Sequence, residues 1–371
     1  MDILTAPPAS ELISSVLSQR PLYISGPCSA ETEEQVIATA RALKLNTGIH
    51  IFRAGIWKPR TRPGNFEGVG SIGLEWLLRV KEETGLPVAI EVASARQVEE
   101  SIRAGIDMLW IGARTTVNPF SVQDVADALK GVKIPVFVKN PLNPDIDLWT
   151  GAVERVLNAG IDWVGLIHRG FSSYGTTQYR NAPMWHLAIE MKQRHLDLPM
   201  LCDPSHICGN RTLIPETLQY AADLGYDGCM IESHIHPESA WSDAAQQLTP
   251  ELLSELLQNI IWREKKFSSM HDKLVAFRQQ IDQLDDELLT ILGKRMQLSR
   301  QIGIYKSKNN ISILQFKRWA EIMSRAFYKG RKMELSDEFI RNYFNAIHLE
   351  SIRKQEEQMK SGSATNNDFE N

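Results

Sequence analysis

Residues 86–105 read LPVAIEVASARQVEESIRAG. The proline stands just ahead of an apolar run, where its missing N–H removes no sheet hydrogen bond. The run Val88–Val92 is apolar on both faces of a strand apart from Glu91, the pattern of a parallel strand buried from both sides. A short polar loop follows. An amphipathic stretch, ARQVEESIRAG, then begins at Ala95. This is one strand, one loop and one helix, and the same phrase recurs on either side of it.

Working outward, the strands are PLYISG, IHIFRAG, PVAIEV, DMLWIGA, PVFVKN, DWVGLIH, PMLCDP and DGCMIES, all between residues 21 and 262. LPVAI, IPVFV and LPMLC share the leading proline. Helical stretches between strands include EEQVIATARALK, VQDVADALKG and AVERVLNAG. Eight such units in roughly 240 residues have the size of a (β/α)8 barrel, a TIM barrel. A doubly wound open sheet is the alternative, but no G-x-G-x-x-G follows the first strand. The fold class expected is therefore α/β, a (β/α)8 barrel over residues 1–262.

Barrel chemistry sits on the loops at the C-terminal ends of strands. Those ends carry Cys28, Arg53, Lys58, Glu91, Arg114, Lys139, His168, Arg169, Asp203, His206 and Glu232, with Asp243 just beyond. Taken singly, each has an ordinary reading, since a lone arginine is usually solvated and a lone cysteine usually packs as a small apolar residue. Gathered on one face of one barrel, they divide by chemistry. Arg53, Lys58, Arg114, Lys139 and Arg169 are cations that repel one another unless an anion sits among them, and they suit phosphates and carboxylates. Cys28, His206, Glu232 and Asp243 form a mixed sulfur, nitrogen and oxygen set that favours Mn, Fe, Co or Zn over Mg. The loop GIWKPRTRPG (55–64) adds Arg60 and Thr61 beside Lys58, stiffened by two prolines.

Composition narrows the setting. The 371 residues carry a formal net charge of −4, with 43% hydrophobic and 23% charged residues. That balance opposes generic binding of nucleic acid, so any basic site is local. No apolar run reaches the roughly 18 residues of a membrane span, and the N-terminus is acidic with no apolar signal core. The four cysteines lack ribbon spacing and form no disulfide framework. A reduced, cytoplasmic setting is expected.

GPCS (26–29), KPRTRP (58–63), GAR (112–114), VKNP (138–141), DPSH (203–206) and IESH (231–234) resemble 3-deoxy-D-arabino-heptulosonate 7-phosphate (DAHP) synthase, in its short β subclass. The resemblance implies condensation of phosphoenolpyruvate (PEP) with erythrose 4-phosphate, the first step of the shikimate pathway. It implies a divalent metal held by Cys28, His206, Glu232 and Asp243. It places Arg53, Lys58, Arg114, Lys139 and Arg169 on PEP, and Lys58, Arg60, Thr61 and Asp243 near the aldose phosphate. Lys58 is the candidate proton donor to the developing alkoxide. Ala244 departs from the glycine expected after the aspartate. The sister synthase acting on arabinose 5-phosphate carries Ala-Asn-Arg after the lysine; here Pro-Arg-Thr follows Lys58.

After a polar hinge, REKKFSSM (263–270), the style changes. Leu274, Phe277, Ile281, Leu284, Leu288, Ile291, Arg295, Leu298, Ile302 and Tyr305 follow 3–4 spacing, a single helix of about 35 residues and about 50 Å. Arg295 alone interrupts the seam. A coiled-coil dimerisation arm is one reading. A ligand pocket is another, since Lys306 lies about three turns beyond Arg295 on the same face. Arg278 is turned about 100° away and fits such a pocket only from a partner's helix. Arg318, then Ser351 and Gln355 at i, i+4, complete a set of donors suited to a dicarboxylate.

These residues resemble the all-helical chorismate mutase family over roughly 85 residues, within an expected domain at 271–360. The resemblance places Arg278, Arg295, Lys306, Arg318, Ser351 and Gln355 on chorismate or prephenate. It has Lys306 and Gln355 donating to the ether oxygen as its bond to carbon breaks. Gln315 and Trp319 stand where the family often has acids near the substrate hydroxyl. Residues 361–371 are expected to be a disordered tail. The whole reading is a bifunctional enzyme of aromatic amino-acid biosynthesis, a homodimer through its helices, with prephenate feeding back on the barrel. Two other readings stay open: a synthase with a non-catalytic regulatory helical domain, and the sugar-acid synthase acting on arabinose 5-phosphate.

Overall fold

The computed structural model describes residues 9–59, 64–174, 178–263 and 272–364. Contacts divide the chain between residues 265 and 266 into two compact units. In the first, eight strands pair in sequence order, every pair parallel, and close into a barrel. They are β1 (Leu22–Gly26), β2 (Ile51–Arg53), β3 (Val88–Val92), β4 (Met108–Ile111), β5 (Val136–Lys139), β6 (Val164–His168), β7 (Met200–Cys202) and β8 (Gly228–Glu232). Closure runs in register from Leu22 opposite Gly228 to Gly26 opposite Glu232.

The pleat sorts each strand into two cores. Leu22, Ile24, Ile51, Ala89, Met108, Trp110, Phe137, Ile167, Leu201 and Met230 pack inside the barrel. Residues of the other parity, such as Phe52, Val88, Ile90, Leu109, Val136, Val138 and Leu166, pack outward against the helices. The interior is filled tightly enough to require Gly165, where a Cβ would lie 2.2 Å from the Phe137 ring. A helix ahead of the first strand, Ala9–Leu17, puts Ile13 and Leu17 into the interior cluster. It packs there with Leu22 at the start of β1. The helices that follow are capped by local chemistry: Thr32, Ser94, Asp145 and Thr249 each accept a backbone N–H of the first turn.

The second unit has a long helix (Asp272–Lys308), a middle helix (Phe316–Lys332) and a last helix (Asp337–Ala364). The long helix has 37 residues, about 55 Å at 1.5 Å per residue. It lies close along the last helix at Gly303, where a Cβ would come 2.8 Å from the Gln355 Cα. One expectation needs correcting. The last helix continues to Ala364, into residues expected to be disordered, because extending a formed helix adds a hydrogen bond for each residue fixed. Arg263, the first residue of the expected hinge, pairs with Asp223 at 2.8 Å. The rest of the hinge, 264–270, lies outside the described residues.

Candidate active sites

The interior parity that fills the barrel also aims its chemistry. Counting on by two from Ile51, Ala89, Phe137, Ile167, Leu201 and Met230 gives Arg53, Glu91, Lys139, Arg169, Asp203 and Glu232. Each stands at the C-terminal end of its strand, above the apolar plug. Arg53 is fully buried, with its guanidinium carbon 4.8 Å over Trp110. Its Nη2 donates to the Cys28 carbonyl at 3.0 Å, and its Nη1 lies 3.5 Å from Glu232 Oε1. Lys139 donates to Asp203 at 2.6 Å, and the other side of that carboxylate meets His206 Nδ1 at 2.9 Å. His206 Nε2 in turn faces Glu232 Oε1 at 3.6 Å. A line of polar contacts therefore runs from Lys139 through Asp203, His206 and Glu232 to Arg53 across the mouth, and burial holds the His206 imidazole below its ordinary value.

Cys28 sits under this line. Lys58 Nζ donates to its carbonyl at 2.7 Å and lies 3.1 Å from its sulfur. Gly55 permits that approach, since a Cβ there would lie 2.7 Å from the Cys28 oxygen and 2.9 Å from Lys58 Nζ. Asp243, with left-handed φ of 50°, places Oδ2 3.3 Å from the Cys28 sulfur. Burial, with Glu232 and Asp243 adding to it, pushes the Cys28 thiol up to about 12, against Lys58 and Arg53. Burial also pushes the carboxyls of Glu232 and Asp243 up, yet both stay below their ordinary values, because His206 together with Arg53 or Arg180 outweighs it.

Cys28, Glu232 and Asp243 offer ligand atoms within 4.8 Å of one another. His206 stands beside them through its contact with Glu232 rather than within that group. Glu232 Oε1 is buried with no hydrogen bond, its neighbours being Arg53 Nη1 at 3.5 Å and His206 Nε2 at 3.6 Å. A thiol, an imidazole and two carboxylates, one with an oxygen lacking any hydrogen bond, fit a divalent cation. Cation binding would turn the thiol into a thiolate and release its proton.

The predicted anion cluster is also brought together, with differences. Arg169 is buried and is pulled down to about 10 by burial, with Arg180 and Arg114 adding to it and Asp203 opposing, so it stays charged at neutral pH. Arg114 is exposed, on the short helix Ala113–Thr116. Arg60 and Thr61 lie outside the described residues. His168 does not join the mouth. Its parity is the outward one, and its ring is bound by Tyr226 Oη at 2.9 Å and Pro183 O at 2.6 Å. Burial there holds it down to about 4, a neutral packing histidine. Two residues carry no sequence signal. Arg180 donates to Asp243 Oδ1 and to Gln246 Oε1, both at 2.8 Å, and Gln246 donates to Glu232 Oε2 at 2.6 Å.

In the second unit, the close approach at Gly303 buries a polar pocket. Lys306, Ser351 and Gln355 are all less than a tenth exposed. Arg295 Nη1 donates to Ser351 Oγ, Lys306 Nζ to Ile313 O at 2.6 Å, and Gln355 Nε2 to Ser351 O at 3.3 Å. Burial pulls both cations below their ordinary values, with Tyr343 opposing it at Arg295. Arg318 instead lies exposed, paired with Glu321 at 3.1 Å. Arg278 is on the same helix as Arg295, about 25 Å away at 1.5 Å per residue, so the two do not share a pocket within one chain.

A closed parallel barrel whose mouth gathers buried cations beside a metal-capable cluster defines a candidate active site at the C-terminal ends of the strands. The chain belongs to the DAHP synthetase I family, whose profile matches residues 14–268; members of that family generally use a divalent metal. Residues 277–356 match chorismate mutase type II. A phospho-2-dehydro-3-deoxyheptonate aldolase from Thermotoga maritima is 32% identical over 237 residues, 64% of this chain and 68% of that one. A 2-dehydro-3-deoxyphosphooctonate aldolase from Desulfatibacillum aliphaticivorans is 31% identical over 267 residues, 65% of this chain and 90% of its own. The crystal structure of the Thermotoga maritima DAHP synthase superposes with a TM-score of 0.58 at 30% identity, covering 64% of this chain and 67% of that one.

Proposed function

We propose that the barrel condenses PEP with erythrose 4-phosphate to DAHP, and that the helical unit rearranges chorismate to prephenate. The observation that carries the first reaction is the convergence of Lys58, Arg53 and the Cys28–Glu232–Asp243 cluster at one mouth. Arg53, Arg114, Lys139 and Arg169 hold the phosphate and carboxylate of PEP, their mutual repulsion relieved by the bound anion. Cys28, His206, Glu232 and Asp243 would hold a divalent cation, which when bound supplies Lewis-acid polarisation of the aldose carbonyl. The sulfur ligand favours Mn, Fe, Co or Zn over Mg. Lys58, resting on the Cys28 sulfur, gives its proton to the oxygen on which charge develops. Arg60 and Thr61 grip the second phosphate. Assaying the chain with PEP and either erythrose 4-phosphate or arabinose 5-phosphate tests this. Pro59-Arg60-Thr61 predicts a strong preference for the former, and preference for arabinose 5-phosphate overturns it.

For the second reaction, Arg295 binds a carboxylate while Lys306 and Gln355 donate to the ether oxygen. Rotating the Gln355 amide exchanges its buried, unsatisfied Oε1 for N–H. Arg278 reaches the pocket from a second copy, which makes the working form a homodimer. Prephenate held in this pocket restrains the barrel. Turnover of chorismate by the whole chain is the direct test; binding without turnover leaves the regulatory reading.

A further inference from the structure

The last helix presents a third residue on the stripe that carries Ser351 and Gln355. His348 lies at i, i+3 and i+7 with them, so its ring projects from the same face toward the long helix. It stacks on Trp319 of the middle helix with ring centroids 4.0 Å apart and planes 16° apart. Its Nε2 is buried and makes no hydrogen bond. Burial, with the charges of Arg295 and Lys306 adding to it, lowers the imidazole below its ordinary value and so favours the neutral ring. Two cations disfavour a further N–H facing them, so the lone pair belongs on Nε2. Among the described residues of this pocket, the fully buried side-chain polar atoms without a hydrogen bond are this nitrogen and Gln355 Oε1. Gln355 can rotate to donate; the neutral imidazole of His348 is left as an acceptor.

We propose that His348 Nε2 accepts a hydrogen bond from the ring hydroxyl of the bound ligand, with Trp319 holding the imidazole in place. The inference rests on the rearrangement reading of this pocket. Chorismate offers two carboxylates and an ether oxygen, which only accept, and one hydroxyl, which can donate. A pocket of Arg295, Lys306 and a rotated Gln355 satisfies the acceptors and leaves that hydroxyl needing a partner. Gln315 is solvent-exposed at the start of the middle helix, Trp319 has only a donor, and Glu321 is held by Arg318. An acceptor on the last helix therefore takes a role that Gln315 and Trp319 do not fill.

The experiment compares His348→Phe, which keeps a ring to stack, with His348→Gln, which keeps an acceptor. Both are assayed on chorismate and on an analogue lacking the ring hydroxyl, with unchanged condensation at the barrel and a thermal melt reporting folding. His348→Phe should lower kcat/KM for chorismate on the order of 10- to 100-fold, the effect of stranding a buried hydroxyl. It should leave the analogue nearly unaffected, and His348→Gln should restore part of the loss. Equal losses on both substrates, or no loss on either, overturn the assignment. Should the wild-type chain fail to turn over chorismate, the rearrangement reading fails by itself. Calorimetric titration with prephenate, which carries the same hydroxyl, then decides the His348 contact. Tenfold weaker binding by His348→Phe upholds it, and equal affinity ends it.

Discussion

Asp203 is fully buried and holds Lys139, itself 4% exposed, and His206 at once. Burial pushes its carboxyl up, but His206 and Lys139 together hold it well below the ordinary range. Asp203→Asn strands a buried ammonium, which costs about 3–5 kcal/mol in comparable pairs. Urea unfolding of the barrel should show that loss, and a midpoint within error of wild type would refute it. The same variant leaves His206 without its carboxylate partner, so metal affinity should fall roughly 10- to 100-fold. Cys28→Ala removes the only sulfur of the cluster. It should abolish condensation and the thiolate charge-transfer absorption of Co-loaded protein, while chorismate turnover is untouched; an unchanged spectrum would clear Cys28 of ligation. These inward residues were legible in the sequence because strand parity is exact: Arg53, Lys139, Arg169 and Glu232 follow apolar residues by two. Arg180 and Gln246 were not legible, because loop geometry and no periodicity brings them to Asp243 and Glu232.

At the scale of elements, the eight strands could be read from apolar runs with leading prolines. The helix Ala9–Leu17 could not, since it is short and its place under the barrel depends on a cavity only the closed sheet creates. Gly303 is a second case of geometry without a sequence signal. It lies within a 37-residue helix, where glycine costs about 1 kcal/mol relative to alanine, yet it lets two helices touch. Gly303→Ala gains that propensity and meets the Gln355 backbone at 2.8 Å. Overpacking of this kind costs about 1–3 kcal/mol. The expected outcome is lower chorismate turnover through displaced Gln355 and Ser351, with condensation unchanged. A more active mutase would mean the helices have slack the structure does not show.

The whole molecule leaves one debt unsettled by a single chain. Phe277, Ile281, Leu284, Ile291, Leu298 and Tyr305 are each more than half exposed along the long helix. Among the described residues of the second unit, Ala326, Ile340 and Ile347 are the buried apolar ones, too few to support an isolated three-helix unit. A second long helix would bury the stripe, and it would bring Arg278 to a pocket that Arg295 cannot share with it inside one chain. Replacing Phe277 and Ile281 with aspartate should therefore shift sedimentation from dimer to monomer and remove chorismate turnover together. A monomeric wild type would break this link. The proposed feedback would act through the same helical unit. The barrel's product and the mutase's substrate are separated by intervening chemistry, so direct transfer gives no reason to join them, whereas sensing a late product does. Prephenate bound among Arg295, Lys306 and Gln355 should slow condensation by roughly 5- to 150-fold, the range of a 1–3 kcal/mol coupling. Arg295→Ala should abolish that inhibition in the full-length chain while its uninhibited condensation rate stays at wild type, because no barrel ligand is altered. Linkage requires the converse: saturating PEP that opposes inhibition must weaken prephenate binding by the same factor. Inhibition that persists in Arg295→Ala at unchanged prephenate concentration would place the sensor on the barrel itself.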